Sequence, residues 1–199
     1  MQVAIDHFRL NIAYVRNLSL IYATALTSSP GLDISDLLRA QVVLAVGALD
    51  HYVHTLTRMG VLEVYNGLRP RTAAFSRTKV TLDGVLTALN NPTSDGWLES
   101  EIKREHGWQT FQSAEKIAEA VRLFSDVPLW ESVADDLKVN AEDLKQQLRL
   151  TVDRRNKIAH EADMDPSFPG TKWPIDAALA CAAIDFVEQL GEAIQRVMV

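Results

Sequence analysis

Apolar residues recur at intervals of three and four along most of the chain, which is the pattern of amphipathic helices. The first segment, about residues 4–26, has such a stripe, formed by Ile5, Phe8, Ile12, Val15, Leu18 and Tyr22. The alternation of apolar and polar residues that is typical of strands is nearly absent. The pattern therefore predicts an all-α protein.

Capping and breaking residues divide this pattern into helices. Asp33 or Ser35 can cap a second helix that runs to about Met59, and Gly60 is the predicted end of that helix. Asn140 can cap the clearest helix of the chain, which stops before residues 163–169. Pro174 is predicted to open the last helix, over residues 175–197.

The middle of the chain is less regular. Short helices are predicted near residues 82–89 and 128–139, and a helical stretch over residues 96–124 looks broken near His106 and Gly107. We therefore expect one domain over residues 1–199, a bundle of four long helices. Residues 60–139 would be an insertion of short helices and loops between the second and third long helices.

Composition limits the classes of function. The chain has 20 Lys and Arg against 26 Asp and Glu, a formal net charge of -6, so it should not coat nucleic acid non-specifically. Cys181 is the single cysteine, which excludes an intramolecular disulfide and a cysteine-based zinc site. No apolar run approaches the ~20 residues of a membrane helix. These features predict a soluble, cytoplasmic protein.

Polar residues of the Asn140-capped helix are the strongest candidates for chemistry. At about 100° per residue, Arg149, Asp153, Asn156 and His160 form one stripe, while Arg155 lies about 140° from His160 and can lean back on its long side chain. An imidazole can move protons between the ribose 2′-hydroxyl and the leaving 5′-oxygen of RNA, and a guanidinium can bind the phosphate. The alternative is a solvated helix face with a histidine at its end.

The segment Arg155–His160 resembles the Arg-polar-x-x-x-His signature of the HEPN superfamily. Residues 48–56 are similar to the corresponding helix of the RiboL-PSP branch of that superfamily. The resemblance implies a HEPN-like helical bundle and a metal-independent endoribonuclease without a cofactor. In such enzymes two protomers form one composite cleft. Arg155 would then bind the scissile phosphate, His160 would be the general acid or base, and Asn156 would orient the histidine or the RNA.

Many HEPN proteins serve in toxin–antitoxin or anti-phage modules, so the resemblance also implies a homodimer and an antitoxin or defence partner. Other HEPN proteins lack activity. A non-catalytic module that binds RNA or protein, as a subunit of a larger assembly, therefore stays open as the alternative function.

Further residues are candidates for supporting roles. Asp153, Arg149 and Arg154 would support the motif, and Asp50 would either do the same or form an ordinary hydrogen bond between helices. His51 and His54 are interpreted as packing or partly exposed residues, since no third metal ligand accompanies them. The candidate RNA-binding residues are in a basic stretch; they are Arg69, Arg71, Arg77 and Lys79. The alternative interpretation is that this stretch is simply a solvated loop. Cys181 is expected to be a small core residue, and buried packing or dimer contacts are expected for the four tryptophans, Trp97, Trp108, Trp130 and Trp173.

Overall fold

The computed structural model describes all 199 residues, which form eight α-helices and no strand. The prediction of an all-α protein is confirmed. An isolated bridge pairs Met164 with Lys172, and a single 3-10 turn spans Phe75–Arg77. The α-helices are α1 (Gln2–Ser28), α2 (Ser35–Tyr65), α3 (Leu82–Asn90), α4 (Gly96–His106), α5 (Ala114–Arg122), α6 (Leu129–Leu137), α7 (Ala141–Glu161) and α8 (Ala177–Met198).

The longest helix, α2, packs against α1, α7 and α8. Helix α1 runs antiparallel to α2, since the amino group of Met1 lies 3.6 Å from Glu63, and Ser19 donates a hydrogen bond to Gln41. Helix α7 is also antiparallel to α2, because Arg39 near the start of α2 binds Asp163 just after the end of α7. The end of α7 therefore lies beside the first turns of α2.

One hydrophobic cluster of 34 buried residues joins the four long helices with α5 and α6. It extends from Met1 to Met198 and includes Phe124 and Trp130 from the middle of the chain. The indole nitrogen of Trp130 donates to the carbonyl of Ala114 at 2.8 Å, which ties α6 to the start of α5. Helices α5 and α6 thus share the core of the long helices, whereas Leu98 and Ile102 of α4 form a separate small cluster with Val61 of α2.

The predicted end of α2 at Gly60 is wrong. The helix continues to Tyr65, and Gly60 lies inside it. A Cβ atom at Gly60 would be 2.3 Å from the ring of Phe124, so glycine is needed here for close packing between helix and ring. Gly60 therefore allows a tertiary contact with Phe124 and does not end the helix.

The last two α-helices both begin at a side-chain cap. The Asn140 side chain accepts from the backbone of Glu142 and Asp143, at 2.8 and 3.3 Å, so its predicted capping role is confirmed. Pro174 does not open α8. That helix starts at Ala177, after Asp176 accepts a hydrogen bond from the backbone of Leu179 at 2.8 Å.

Asp163 fixes the chain where α7 ends. It has a left-handed backbone, φ 59°, and its side chain is fully buried. Its Oδ2 accepts from Arg39 at 2.7 Å and from Arg154 at 2.9 Å, while its carbonyl accepts from the backbone of Trp173 at 2.8 Å. This junction holds the last two turns of α7, which contain the Arg–His segment, against α2. None of the eight helices has the length and hydropathy needed to cross a membrane.

Candidate functional site

A cleft of about 570 Å³ lies between α7 and the segment that leads into α5. We call it the motif cleft. One wall is residues 112–115, and the other is formed by one face of α7: Glu142, Lys145, Gln146, Arg149, Val152, Asp153 and Asn156. Three predicted site residues, Arg149, Asp153 and Asn156, therefore lie together, as their spacing on the helix requires.

Arg155 stands at the edge of this cleft with little to balance its charge. Its side chain leans toward the cleft, where Nη1 donates to Oδ1 of Asn156 at 2.9 Å. That is its one hydrogen bond within the chain, and it has no carboxylate partner. Its Nε is buried without any acceptor. A half-buried guanidinium with free donors is suited to binding a phosphate oxygen.

Arg154 has the opposite surroundings, although it is the next residue. Its Nη2 donates to Asp163 at 2.9 Å and to the carbonyl of Pro174 at 3.1 Å. Arg154 lies on another face of α7, beside Leu150 and Leu179. Arg154, a predicted supporting residue, therefore does not line the motif cleft but fastens the loop before α8 to α7, and its support of the motif stays a prediction.

His160 is exposed on the last turn of α7. It follows Asn156 by four residues and so continues the same stripe, beyond the end of the motif cleft. Its imidazole makes no hydrogen bond within the chain. Neither His160 nor Arg155 lines the motif cleft of a single protomer. Asn156, which lies between them in the sequence, does line it.

Asp50 supports the opposite wall of the motif cleft and does not enter it. Its Oδ1 accepts from the backbone N–H of Phe111 at 2.5 Å, and its Oδ2 accepts from Nε2 of Gln112 at 3.4 Å. Gln112 in turn lines the motif cleft. Asp50 therefore joins α2 to the segment before α5, and it also contacts a residue of the motif cleft.

The basic stretch does not lie near the motif. It follows the last residue of α2, a helix of 31 residues whose first turns lie beside the end of α7. Arg69 is held there by Glu63 at 2.6 Å and by the carbonyl of Met198 at 2.9 Å. Arg71, Arg77 and Lys79 are exposed in the same region. The expectation that these four residues flank the motif is wrong, because α2 and α7 run in opposite directions.

A second concave site has a different character. His51, His54 and Arg58 of α2 face Lys103 and His106 of α4 around a pocket of about 210 Å³, which we call the histidine pocket. Burial lowers the pKa of His106, and the nearby His54 lowers it further. No group of three or more His, Cys, Asp or Glu side chains is arranged to hold a metal ion.

Sequence reasoning missed several of these residues. His106 had no distinguishing context, since its partners His51 and His54 are more than 50 positions away in the sequence. Asp163 could be recognised as a helix-ending residue but not as the acceptor for two arginines. Cys181 is exposed, not buried as expected. Trp108 is also exposed, at 76% of its surface.

The comparison with protein families gives one match. The family model described as RiboL-PSP-HEPN matches residues 11–199, which is nearly the whole chain and includes the Arg155–His160 segment. No curated protein and no solved structure matches the chain.

Proposed function

Because this chain belongs to the RiboL-PSP-HEPN family, we propose that it is an endoribonuclease that cleaves RNA without a metal ion. The active site is a composite cleft made by the Arg155–His160 segments of two protomers. The whole chain forms one HEPN domain, with α1, α2, α7 and α8 as its bundle and the segment between α2 and α7 as an insertion.

The observation that carries this proposal is the contrast between two adjacent arginines. Arg154 is satisfied by a buried carboxylate and by carbonyl groups, whereas Arg155 keeps free donors and a buried Nε without an acceptor. Leaving a half-buried charge uncompensated is unfavourable unless a ligand compensates it. A phosphate has the charge and the geometry to do so.

The reaction follows from the groups that surround this position. The imidazole of His160 removes the proton from a ribose 2′-hydroxyl, and the 2′-oxygen attacks the phosphorus. The bond between phosphorus and the 5′-oxygen breaks, and the corresponding histidine of the second protomer, in its protonated form, donates a proton to the leaving oxygen. Arg155 stabilises the charge on the phosphorane oxygens, and Asn156 holds the guanidinium in place. The products are a 2′,3′-cyclic phosphate and a 5′-hydroxyl.

The proposed dimer is supported by the position of His160. In one protomer this histidine is exposed beyond the end of the motif cleft, so a single chain does not surround a phosphate with both motif side chains. A second copy related by a twofold axis would bring two such segments together. By analogy with other HEPN proteins, the proposed role is that of a toxin or an anti-phage nuclease that an antitoxin or another defence protein restrains.

Cleavage of total cellular RNA by purified protein tests the proposal. We expect the wild-type protein to cut with and without EDTA. We expect His160→Ala and Arg155→Gln to lower the rate about 100-fold or more, because they remove a proton-transfer group and a charge-stabilising donor. Lys116→Gln and His7→Ala are matched controls, since both residues are exposed and neither lies in the Arg155–His160 segment or lines the motif cleft; they should cut at the wild-type rate. Full activity of either motif variant would refute the proposal.

The alternative is a non-catalytic module that binds RNA or protein. It is favoured by the same absence of Arg155 and His160 from the single-chain cleft. Expression in a bacterial host separates the two functions. An active nuclease should slow growth, and the His160→Ala variant should restore it. Equal growth inhibition by the wild-type protein and the variant would favour the non-catalytic module.

A further inference from the structure

The histidine pocket brings basic side chains together in a protein whose net charge is -6. Five basic side chains line it, from two helices, together with one hydrophobic residue, Ile102. Arg58 and Lys103 share one carboxylate, Glu99, at 2.8 Å each, and Glu99 is not part of the pocket lining. Arg58 and Lys103 are thus offset by two nearby carboxylates, Glu99 and Asp50, the latter 3.9 Å from His54, so the site becomes net positive when its imidazoles are protonated.

Two of the three imidazoles are held in place by packing. The rings of His54 and His106 both pack on Phe111, with centroids 4.5 and 5.4 Å away. Phe111 is fixed in turn by the hydrogen bond from its backbone to Asp50. His106 also has a buried Nδ1 without a hydrogen-bond partner. The rings of His54 and His106 are thus preformed in the pocket, whereas His51 and Lys103 are exposed at its edge.

The surroundings of the pocket fit a single-stranded nucleic acid. Trp108 follows Gly107 of the pocket wall and is 76% exposed, which leaves its ring free to stack on a base. The pocket also adjoins the motif cleft, because Phe111 packs on its histidines and the next residue, Gln112, lines the cleft. The motif cleft itself has three acidic residues, Glu115, Glu142 and Asp153, against two basic ones. It lacks the positive surface that an RNA backbone needs.

We propose that the histidine pocket binds a backbone phosphate of single-stranded RNA while Trp108 stacks on a neighbouring base. This subsite holds the strand whose scissile phosphate lies at Arg155, so the inference rests on the ribonuclease function proposed above. It supplies the phosphate contacts that the basic stretch at the far end of α2 cannot provide. Affinity rises as the pH falls, because a bound phosphate favours the protonated imidazole of His106, whose pKa is lowered by burial and by the nearby His54; Asp50 and Glu105 are the carboxylates close to these two histidines.

Binding of a short 2′-O-methyl RNA strand, which lacks the attacking hydroxyl, tests this subsite without cleavage. Lys103→Gln should weaken binding and reduce the slope of log affinity against log salt by about 0.7, the value for one lost phosphate contact on a single strand. Trp108→Ala should weaken binding at least about fivefold through lost stacking. Lys116→Gln is the matched control: Lys116 is similarly exposed and paired with a glutamate, at 2.9 Å, but lies outside the pocket.

The imidazole signals in NMR spectra give a second readout, for RNA and for inorganic phosphate separately. We expect the RNA to shift the signals of His51, His54 and His106 and to leave His7 unchanged. If phosphate shifts them and RNA does not, the pocket takes a free anion and the RNA subsite is refuted. Shifts with neither probe, or unchanged RNA binding in both Lys103→Gln and Trp108→Ala, also refute it. RNA that binds as expected but is never cut would instead overturn the nuclease proposal and leave this subsite standing.

Discussion

At the scale of single residues, the consecutive arginines Arg154 and Arg155 of α7 have different surroundings. The difference indicates a structural role for Arg154 and a ligand-binding role for Arg155. Arg154 is 27% exposed and bound to a fully buried carboxylate, whereas Arg155 has one hydrogen bond to a neighbouring amide. The spacing of Arg155 and His160 could be recognised from the sequence. The roles of Arg154 and Asp163 could not, because they depend on loop carbonyls that only the fold brings to the helix.

Substitution of each arginine by glutamine should therefore have different effects on stability. Arg154→Gln should lower the free energy of unfolding by about 1.5–3 kcal/mol, the range for hydrogen bonds to charged groups. Arg155→Gln should lower it little or not at all, because the native side chain leaves a buried donor unsatisfied. Urea denaturation measures both values. A larger loss for Arg155→Gln than for Arg154→Gln would contradict the assignment of Arg155 to ligand binding.

The depressed pKa of His106 predicts a pH dependence of stability. Burial and the nearby His54 lower this pKa below its ordinary value of 6.5, so the unfolded chain binds a proton that the folded chain resists. The free energy of unfolding should therefore decrease as the pH falls below about 6.5, until the pKa of the folded state is passed. Denaturation at several values between about pH 5.5 and 7 measures this slope, above the range where carboxylates titrate.

His106→Gln should reduce that slope, whatever its effect on stability at neutral pH. His7→Gln is the control, since His7 is exposed on α1 and should leave the slope as it is in the wild-type protein. Identical slopes for the wild-type protein and His106→Gln would show that His106 is not the responsible group.

At the scale of elements, the two glycines inside α2 have different reasons to be there. A Cβ at Gly60 would meet the Phe124 ring at 2.3 Å, whereas nothing lies within 4 Å of a Cβ at Gly47. Gly60→Ala should lower the free energy of unfolding by about 1–3 kcal/mol through overpacking. Gly47→Ala should raise it by about 0.5–1 kcal/mol, because alanine loses less backbone entropy in a helix. Thermal denaturation compares them, and stabilisation by Gly60→Ala would contradict the described packing.

The existence of the helices was predictable, and some of their ends were not. Periodicity and the Asn140 cap are local features, so α7 and the short helix α3 lie close to where the pattern indicates them. The reason for Gly60 inside α2 is a ring 64 residues away along the chain. A glycine within an amphipathic stripe has the same local appearance whether it ends a helix or admits a neighbouring side chain.

At the scale of the whole molecule, helix direction decides which charges meet. The basic stretch after α2 is conspicuous in the sequence but lies at the end of the molecule away from the Arg–His segment, where Arg69 joins α2 to the end of α8. The histidine pocket is inconspicuous in the sequence, because α2 and α4 contribute its cations separately. The local sequence pattern was sufficient to identify the motif, whereas the charged surface around it could be identified only from the fold.

The chemical identity of the new 3′ ends in cleaved RNA tests the central claim most directly. Mass spectrometry of RNA incubated with the purified protein should detect 2′,3′-cyclic phosphate ends, since the adjacent hydroxyl is the nucleophile. The His160→Ala protein should produce almost none. New ends that carry a 3′-hydroxyl, or cyclic phosphate ends formed equally by the His160→Ala variant, would contradict cleavage by the Arg155–His160 pair.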